Sequence, residues 1–237
     1  MAEAPERVDV AENPELARRA ADWVVELVGR AVKARGRCSL ALAGGSTPRP
    51  IYADLASRAP GVVAWDKVDI FFGDERAVPP NHADSNYRMA REALIDPVFL
   101  RDAQVHRMEA ERADRDRAAA EYGRALPERL DVLILGMGPD GHTASLFPGA
   151  ASLDEATRRV IPVTGPKPPP ERLTITAPVI HSARSVMVVA TGRDKAGMVA
   201  RAIEGEVSPK EVPIRLARRG AWFLDPAAAG GLTRRNG

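Results

Sequence analysis

A histidine and an aspartate in a glycine-rich turn are the residues of this sequence best suited to catalysis. Asp140 and His142 lie in the run DVLILGMGPDGHTASLFPG, directly after five mostly apolar residues, 132–136, that predict a strand. A histidine can take a proton from water near neutral pH, and a carboxylate two positions away could orient its ring. The pattern predicts a general base, typically worth about 10²–10⁴-fold in rate. A histidine that only hydrogen-bonds nearby backbone is the alternative that the local sequence leaves open.

The same run also satisfies the G-x-G-x-x-G pattern of dinucleotide-binding turns. Such a site needs a long helix after the glycines and an acid about 20 residues further on, at the end of the next strand. Here Pro148 and Gly149 would end any helix within a turn or two of His142, and the run RRVIPVT near residue 161 has no acid at its end. The glycines therefore indicate a sharp turn that presents Asp140 and His142.

Three further polar segments follow predicted strands. SLALA is followed by Gly44, Gly45, Ser46, Thr47 and Pro48, VDIFF by Gly73, Asp74, Glu75 and Arg76, and VMVVA by Thr191, Gly192, Arg193, Asp194 and Lys195. In an open parallel sheet, ligands bind beyond the carboxyl ends of the strands. We therefore expect these three segments and the turn that carries His142 to meet as loops at one edge of a sheet.

The segment GGSTP fits a phosphate group. Its two glycines expose backbone N–H groups, its hydroxyls add donors, and Pro48 suits the first turn of a helix whose N-terminus attracts negative charge. A tight turn with Thr47 as an ordinary helix cap explains the same residues equally well. Lys195, in the first turn of a later helix, could supply the matching cation or could simply be solvated. Because it slightly opposes the helix dipole there, a bound anion accounts for it better than stability does.

The remaining histidines and the single cysteine predict no metal or thiol chemistry. His82 could face the same edge, whereas His106 and His181 are predicted to be structural. No Cys pair exists and no two histidines are three or four residues apart, so we expect no zinc site. Cys38 opens an apolar run and is predicted to be a buried strand thiol. The G-x-S-x-G elbow of serine esterases does not occur.

Strands that alternate with helices must position these residues. Asn13, Pro14 and Glu15 predict the start of a helix, and Gly36 predicts its end. Strands are predicted at residues 39–43, 68–72, 132–135 and 186–190, and helices through residues 52–55, near residue 86, over 112–126 and over 191–203. This alternation is typical of an α/β fold with a mostly parallel sheet. The run GPKPPPE, residues 165–171, is predicted to be a surface loop.

The composition indicates one globular domain. The chain has 237 residues, 45% of them apolar, which suffices for a single core, and we expect an α/β catalytic domain over residues 1–225 with a flexible tail over 226–237. The net charge of +2 predicts no nucleic acid or membrane partner. Without an apolar run of about 20 residues or a secretory signal, we expect a soluble, cytoplasmic protein. No long apolar stripe is left unassigned, which mildly favours a monomer.

Several of these motifs together resemble a known family. The set GGSTP, GDER followed by HADSNY, GMGPDGHTASLFPG, RLTITAPVI and TGRDK resembles the soluble bacterial 6-phosphogluconolactonases, which are related to glucosamine-6-phosphate deaminases. The resemblance runs in the family's order over roughly Ser39 to Leu216. It implies hydrolysis of 6-phospho-D-glucono-1,5-lactone to 6-phosphogluconate, the second step of the oxidative pentose phosphate pathway. It also implies a Rossmann-like three-layer α/β/α sandwich without metal or organic cofactor.

The resemblance further implies a role for each matching residue. His142 would be the general base that activates water, and Asp140 would orient or polarise it. Arg76 would bind anionic groups or stabilise the charge of the tetrahedral intermediate. Asp74 would lie at the pocket edge and fix sugar hydroxyls or Arg76. The phosphate would be held by Gly44, Gly45, Ser46, Thr47 and Lys195, with Arg172 as a weaker candidate.

Two alternatives to the lactonase fit the sequence less well. Deaminase relatives carry an extra Glu after the histidine, in a pattern like HIAFNEP, whereas the run from His142 to Pro148 has no acid. GDER also replaces their DEY-type segment, with Arg76 where an aromatic residue would lie. A non-catalytic sugar-phosphate sensor would carry a DNA-binding module, usually ahead of the sensor. Before Ser39 we predict only one helix and no basic stripe. Both comparisons favour the lactonase.

Overall fold

The computed structural model describes residues 4–233, which form two β-sheets surrounded by helices. The strands are β1 (Arg7–Val10), β2 (Cys38–Leu42), β3 (Val68–Phe72), β4 (Asp74–Arg76), β5 (Val132–Gly136), β6 (Val160–Thr164), β7 (Glu171–Ile175), β8 (Ser185–Ala190) and β9 (Ala221–Leu224). The helices are α1 (Glu15–Arg35), α2 (Arg49–Ser57), α3 (Asn86–Ala90), α4 (Arg115–Ala125), α5 (Ala177–Ser182) and α6 (Ala196–Ile203). A π-helical turn, Arg91–Ile95, extends α3.

The larger sheet has six strands in the order β1-β9-β8-β5-β2-β3, and every neighbouring pair is parallel. Its central strands are apolar; all five residues of β2 are buried. Continuous apolar strands of this kind are expected where helices cover both faces of a parallel sheet. The α/β fold with a mostly parallel sheet, predicted from the sequence, is confirmed.

The chain leaves the middle of this sheet in two directions. From β2, helix α2 leads to β3 on one side, whereas from β5 the helices α5 and α6 lead through β8 to β9 on the other. Because such crossovers are right-handed, the two sets of helices cover opposite faces of the sheet, which gives three layers. Helix α1 packs beside α2. The strand order reverses between β2 and β5, and a ligand site is expected at that point.

Most predicted element boundaries agree with the structure to within one residue. Helix α1 begins at Glu15 and ends before Gly36, whose φ of +77° suits a glycine and whose N–H donates to the Val32 carbonyl. Strand β3 spans the predicted residues, β5 and β8 each differ from prediction by one residue at one end, and β2 is shifted by one residue at both ends. Helix α4 begins three residues after the predicted start and ends one residue before the predicted end. These elements carry strong local patterns.

A second, antiparallel sheet was not predicted. It has the order β4-β7-β6, and the chain enters it at Gly73, whose N–H donates to Leu42 and whose carbonyl accepts from Ile175. The expectation that the whole segment after β3 is a loop was therefore wrong for Asp74–Arg76, which is strand β4 paired with β7. A polar strand of three residues has no periodicity that could predict it.

The last described residues pack against the domain. A 3-10 turn, Ala228–Gly231, contacts α6, and Ala228 and Ala229 are buried. The tail predicted from residue 226 includes this ordered turn, and residues 234–237 lie outside the described residues. No helix among residues 4–233 is long and apolar enough to cross a membrane.

Candidate active site

A cleft of about 250 Å³ opens at the carboxyl ends of β2, β3 and β5, where the strand order reverses. Nine of the ten predicted site residues line it: Gly44, Gly45, Ser46, Thr47, Asp74, Arg76, His142, Arg172 and Lys195. The tenth, Asp140, is hydrogen-bonded to His142. The expectation that segments distant in the chain meet at one edge of the sheet therefore agrees with the structure.

His142 and Asp140 form a close pair. The ring Nδ1 of His142 lies 2.5 Å from Oδ1 of Asp140, and the His142 backbone N–H donates to the same oxygen at 3.3 Å. Burial opposes ionisation of Asp140, but the charge of His142 and the hydrogen bonds from it outweigh burial and lower the pKa of Asp140. Because a carboxylate only accepts, Nδ1 carries a proton, and in the neutral imidazole Nε2 is then the acceptor.

The glycines of this turn make room for the pair. A Cβ on Gly138 would lie 2.1 Å from the His142 ring and 2.7 Å from Asp140 Oδ1. On its other side the ring packs against Phe147, with 4.9 Å between centroids. Residues 137–150 contain no helix, so the long helix that a dinucleotide site requires is absent from this described stretch. The dinucleotide interpretation is therefore excluded in favour of the presenting turn.

Asp74 is buried and held at both oxygens. Its Oδ1 accepts from Asn86 Nδ2 at 3.1 Å, and its Oδ2 accepts from Ser145 Oγ at 2.7 Å. Of the two roles expected for Asp74, the contact with Arg76 is not formed within the described chain; Arg76 Nη1 instead donates to the Asp84 carbonyl at 2.7 Å. Asn86 and Ser145 were missed as functional residues. Their only signal was their presence in the motifs HADSNY and HTASLFPG.

Glu75 organises the segment that carries Asn86. Its carboxylate is buried and accepts four hydrogen bonds, from the backbone N–H groups of Arg76, Asn86 and Tyr87 and from the Ser85 hydroxyl. Burial raises the pKa of Glu75, and its hydrogen bonds act against this rise. Successive residues of the GDER motif thus have different environments. Asp74 and Arg76 line the cleft, whereas Glu75 does not line it and fixes the start of α3.

Arg76 and Arg172 lie side by side on β4 and β7. Arg172 is buried, and its Nε and Nη2 donate to the carbonyls of Pro169 and Lys167 at 3.0 and 3.2 Å. Its guanidinium also lies 5.6 Å from the centre of the Phe147 ring. Burial lowers the pKa of Arg172, and the charge of Arg76 adds to this effect. Two neighbouring cations favour an anionic ligand, and the GPKPPPE loop holds one of them in place.

The glycine loop after β2 presents unused donors. In the described chain, the N–H groups of residues 44–47 have no hydrogen-bond acceptor. Helix α2 has no side-chain cap, so the interpretation of Thr47 as an ordinary cap was wrong; its Oγ1 instead lies 3.4 Å from Thr191 Oγ1. The side chain of Lys195 is 17% exposed, and its Nζ lies 3.0 Å from Asp194 Oδ2. Backbone donors, hydroxyls and an ammonium group together suit a phosphate.

All four histidines lie in the described chain, and only His142 lines the cleft. The Nδ1 of His82 accepts from the Asp84 N–H, and His106 stacks on Phe71 with 4.4 Å between centroids, as a structural histidine would. Within residues 4–233, no group of three or more His, Cys, Asp or Glu could hold a metal ion. Cys38 is a buried strand thiol, as predicted.

Comparisons with known proteins agree in sequence and in structure. The family model described as glucosamine-6-phosphate isomerases/6-phosphogluconolactonase matches residues 11–224. The 6-phosphogluconolactonase of Rattus norvegicus is 40% identical over 96% of this chain and 94% of its own length. That of Streptomyces coelicolor is 38% identical, over 99% and 97%. The solved structure of 6-phosphogluconolactonase from Trypanosoma brucei matches with a TM-score of 0.86 at 30% identity, over 98% of this chain and 100% of its own.

Proposed function

This chain belongs to the glucosamine-6-phosphate isomerase/6-phosphogluconolactonase family, and we propose that it hydrolyses 6-phospho-D-glucono-1,5-lactone to 6-phosphogluconate with His142 as the general base. The observation that carries this proposal is the His142–Asp140 pair, which shares one cleft with the glycine loop, two arginines and Lys195. This reaction is the second step of the oxidative pentose phosphate pathway, as the resemblance in sequence implies.

Water is activated by the free nitrogen of His142. Asp140 accepts from Nδ1–H, so in the neutral ring the free lone pair is on Nε2, which has no hydrogen-bond partner among the described residues. As the water oxygen bonds to the lactone carbonyl carbon, a water proton moves to Nε2. The negative charge of Asp140 then stabilises the imidazolium that forms.

Arg76 is the donor for the charge that develops on the carbonyl oxygen. The Asp84 carbonyl fixes its guanidinium, and Arg76 lines the same cleft as His142. A preorganised donor of this kind is typically worth about 3–4 kcal/mol. Collapse of the tetrahedral intermediate breaks the bond between the carbonyl carbon and the ring oxygen. The imidazolium returns its proton to that oxygen, which completes the hydrolysis.

The phosphate is held by the glycine loop after β2 and by Lys195. The unused N–H groups of residues 44–47 and the ammonium of Lys195 support this assignment. Arg172 stays the weaker candidate, because two of its nitrogens already donate to loop carbonyls. Asp74 is left to accept from sugar hydroxyls, and the fixed orientation of its carboxylate supports that role.

The deaminase alternative is less well supported. A deaminase that also isomerises its substrate needs a carboxylate to carry a proton between two carbons. Among the residues that line the cleft, Asp74 is the only acid, so the extra Glu that the deaminase relatives carry after the histidine has no counterpart there. A sugar-phosphate-binding protein without turnover is the remaining alternative.

The monomeric state and the cytoplasmic location stay predictions. Light scattering after size-exclusion chromatography tests the monomeric state.

Turnover of freshly generated lactone tests the proposal. The product is coupled to 6-phosphogluconate dehydrogenase, and the rate is read above a control without enzyme, because the lactone also opens spontaneously. We expect strong acceleration and no conversion of glucosamine 6-phosphate. Conversion of glucosamine 6-phosphate without lactone hydrolysis would replace the proposal by the deaminase. Binding of 6-phosphogluconate without either turnover would replace it by the binding protein.

A further inference from the structure

The turn that brings Lys195 into the cleft depends on Gly192. This glycine has a φ of +99°, and a Cβ there would lie 2.6 Å from Asp194 Oδ1 and 3.8 Å from Lys195 Nζ. The backbone therefore folds back tightly just before the lysine. The Gly192 N–H donates to both carboxylate oxygens of Asp225, at 3.1 and 3.0 Å. Asp225 lies 33 positions further along the chain.

Asp225 is itself fixed by the elements around it. It directly follows β9, and its N–H donates to the Ala190 carbonyl at the end of β8. Its Oδ1 also accepts from the Ala228 N–H at 2.7 Å. One carboxylate thus joins the edge of the parallel sheet, the 3-10 turn near the C-terminus and the glycine that precedes Lys195.

The chain is also braced on the other side of Lys195. Ala196 is the first residue of α6, and a Cβ on Gly231 would lie 2.6 Å from its carbonyl oxygen. The turn Ala228–Gly231 therefore packs directly against the start of this helix. Gly192 and Ala196, three residues before and one residue after Lys195, are both held by the segment that follows β9.

We propose that Asp225 is a positioning residue for the substrate phosphate, which acts through Gly192 to hold Lys195 in the cleft. The inference rests on the proposed function, in that Lys195 is taken to bind the phosphate. Asp225 is not among the residues that line the cleft. Without the Asp225 carboxylate, the Lys195 side chain would no longer be held in place before the substrate binds. Binding would then have to order this side chain, and the entropy lost would weaken the affinity. His142 lies on a different turn, after β5, and keeps its geometry, so substrate affinity falls while the chemical step is retained.

Two substitutions of Asp225 and one control test this. Asp225→Ala removes both acceptor oxygens, and Asp225→Asn keeps one in a side chain of the same shape. Asp116→Asn is the matched control, because the Asp116 side chain is 79% exposed and lies on α4. We expect Asp225→Ala to raise KM for the lactone and Kd for 6-phosphogluconate about 10-fold, less than the roughly 10²-fold that a 1 Å misplacement can cost. Asp225→Asn has a smaller effect, and kcat and the control stay near wild type.

A double-mutant cycle separates positioning from general support of the fold. If Asp225 acts through Lys195, Asp225→Asn changes the Kd for 6-phosphogluconate in the wild-type background but not in Lys195→Ala. An equal change in both backgrounds, or no change in either, overturns the inference. The asparagine variant is used because its shape preserves folding, which its melting temperature checks. Binding of 6-phosphogluconate is measured by calorimetry and does not require turnover. A protein that binds 6-phosphogluconate but does not hydrolyse the lactone would therefore refute the proposed function, while the double-mutant cycle would still test the role of Asp225.

Discussion

Replacing Gly44 by alanine should destabilise the protein, because the amide of Asn86 occupies the place of the added methyl group. An ideal Cβ on Gly44 lies 1.8 Å from Asn86 Oδ1, 2.1 Å from its Cγ and 2.5 Å from its Nδ2. Asn86 is 2% exposed and cannot turn outward. Its Nδ2 donates to the carbonyl and to Oδ1 of Asp74, at 2.9 and 3.1 Å, so any movement breaks these bonds.

The expected loss follows from these contacts. Overpacking a buried site costs about 1–3 kcal/mol. One or two lost hydrogen bonds add about 1 kcal/mol each. The free energy of unfolding should therefore fall by about 2–5 kcal/mol. In a domain of this size each kcal/mol shifts the melting temperature by about 2–4 °C, so the melting temperature should fall by roughly 4–20 °C. Catalysis should fall as well, since Asp74 loses its partner.

Thermal and urea unfolding followed by circular dichroism measure this loss. Gly29→Ala is the matched control, because Gly29 lies in α1 and a Cβ there meets nothing within 4 Å. That control should be neutral or more stable by up to about 1 kcal/mol. The double variant Gly44→Ala/Asn86→Ala should be more stable than the sum of the single losses predicts. A Gly44→Ala protein that melts with the wild type, or strictly additive losses, would refute the reasoning.

Three further predictions concern buried groups and pH. The hydroxyl of Tyr52 bonds both the N–H and the carbonyl of Ala43 at 2.9 Å, and Tyr52→Phe leaves these two groups without it. The free energy of unfolding in urea should therefore fall by about 2–5 kcal/mol. Tyr87→Phe is the control, and equal stability of the two variants would contradict this prediction. Burial, more than the nearby Asp131, raises the pKa of Cys38 to about 12. A thiol reagent at pH 8 should therefore label Cys38 only in the unfolded chain. Rapid labelling of the folded protein would argue against a buried thiol. The pKa of Asp140 is lowered on folding from its ordinary value of 3.8, so its ionised form stabilises the fold above that pH, and this contribution is lost as pH falls through the folded pKa. The stability difference between wild type and Asp140→Asn should therefore shrink from pH 7 to pH 3, and a difference independent of pH would count against the ion pair.

The sequence predicted those parts of the site whose positions depend on patterns in neighbouring residues. Gly44 and Gly45, or Asp140 and His142, follow strands whose apolar runs are visible in the sequence. Parallel strands bring their carboxyl ends to one edge, so the meeting of these segments follows from the fold class. The role proposed for each residue came from the resemblance of the motifs to a known family.

The parts that were missed depend on contacts across the chain. Asn86 matters because it reaches Asp74, 12 residues away, and Ser145 because it reaches the same carboxylate across 71 residues. Asp225 holds a glycine 33 residues away. Strand β4 is too short to show a period, and Pro162 lies inside β6, where a proline argues against a strand. None of these effects leaves a pattern in the local sequence.

The most direct test of the account compares lactone hydrolysis by the wild type and by His142→Ala in the coupled assay. His181→Ala serves as the control, since His181 lies on α5 and does not line the cleft. The account predicts that His142→Ala lowers kcat by about 10²–10⁴-fold, that its affinity for 6-phosphogluconate is retained, and that His181→Ala resembles the wild type. A His142→Ala enzyme that hydrolyses the lactone at the wild-type rate would contradict the assignment of His142 as the base.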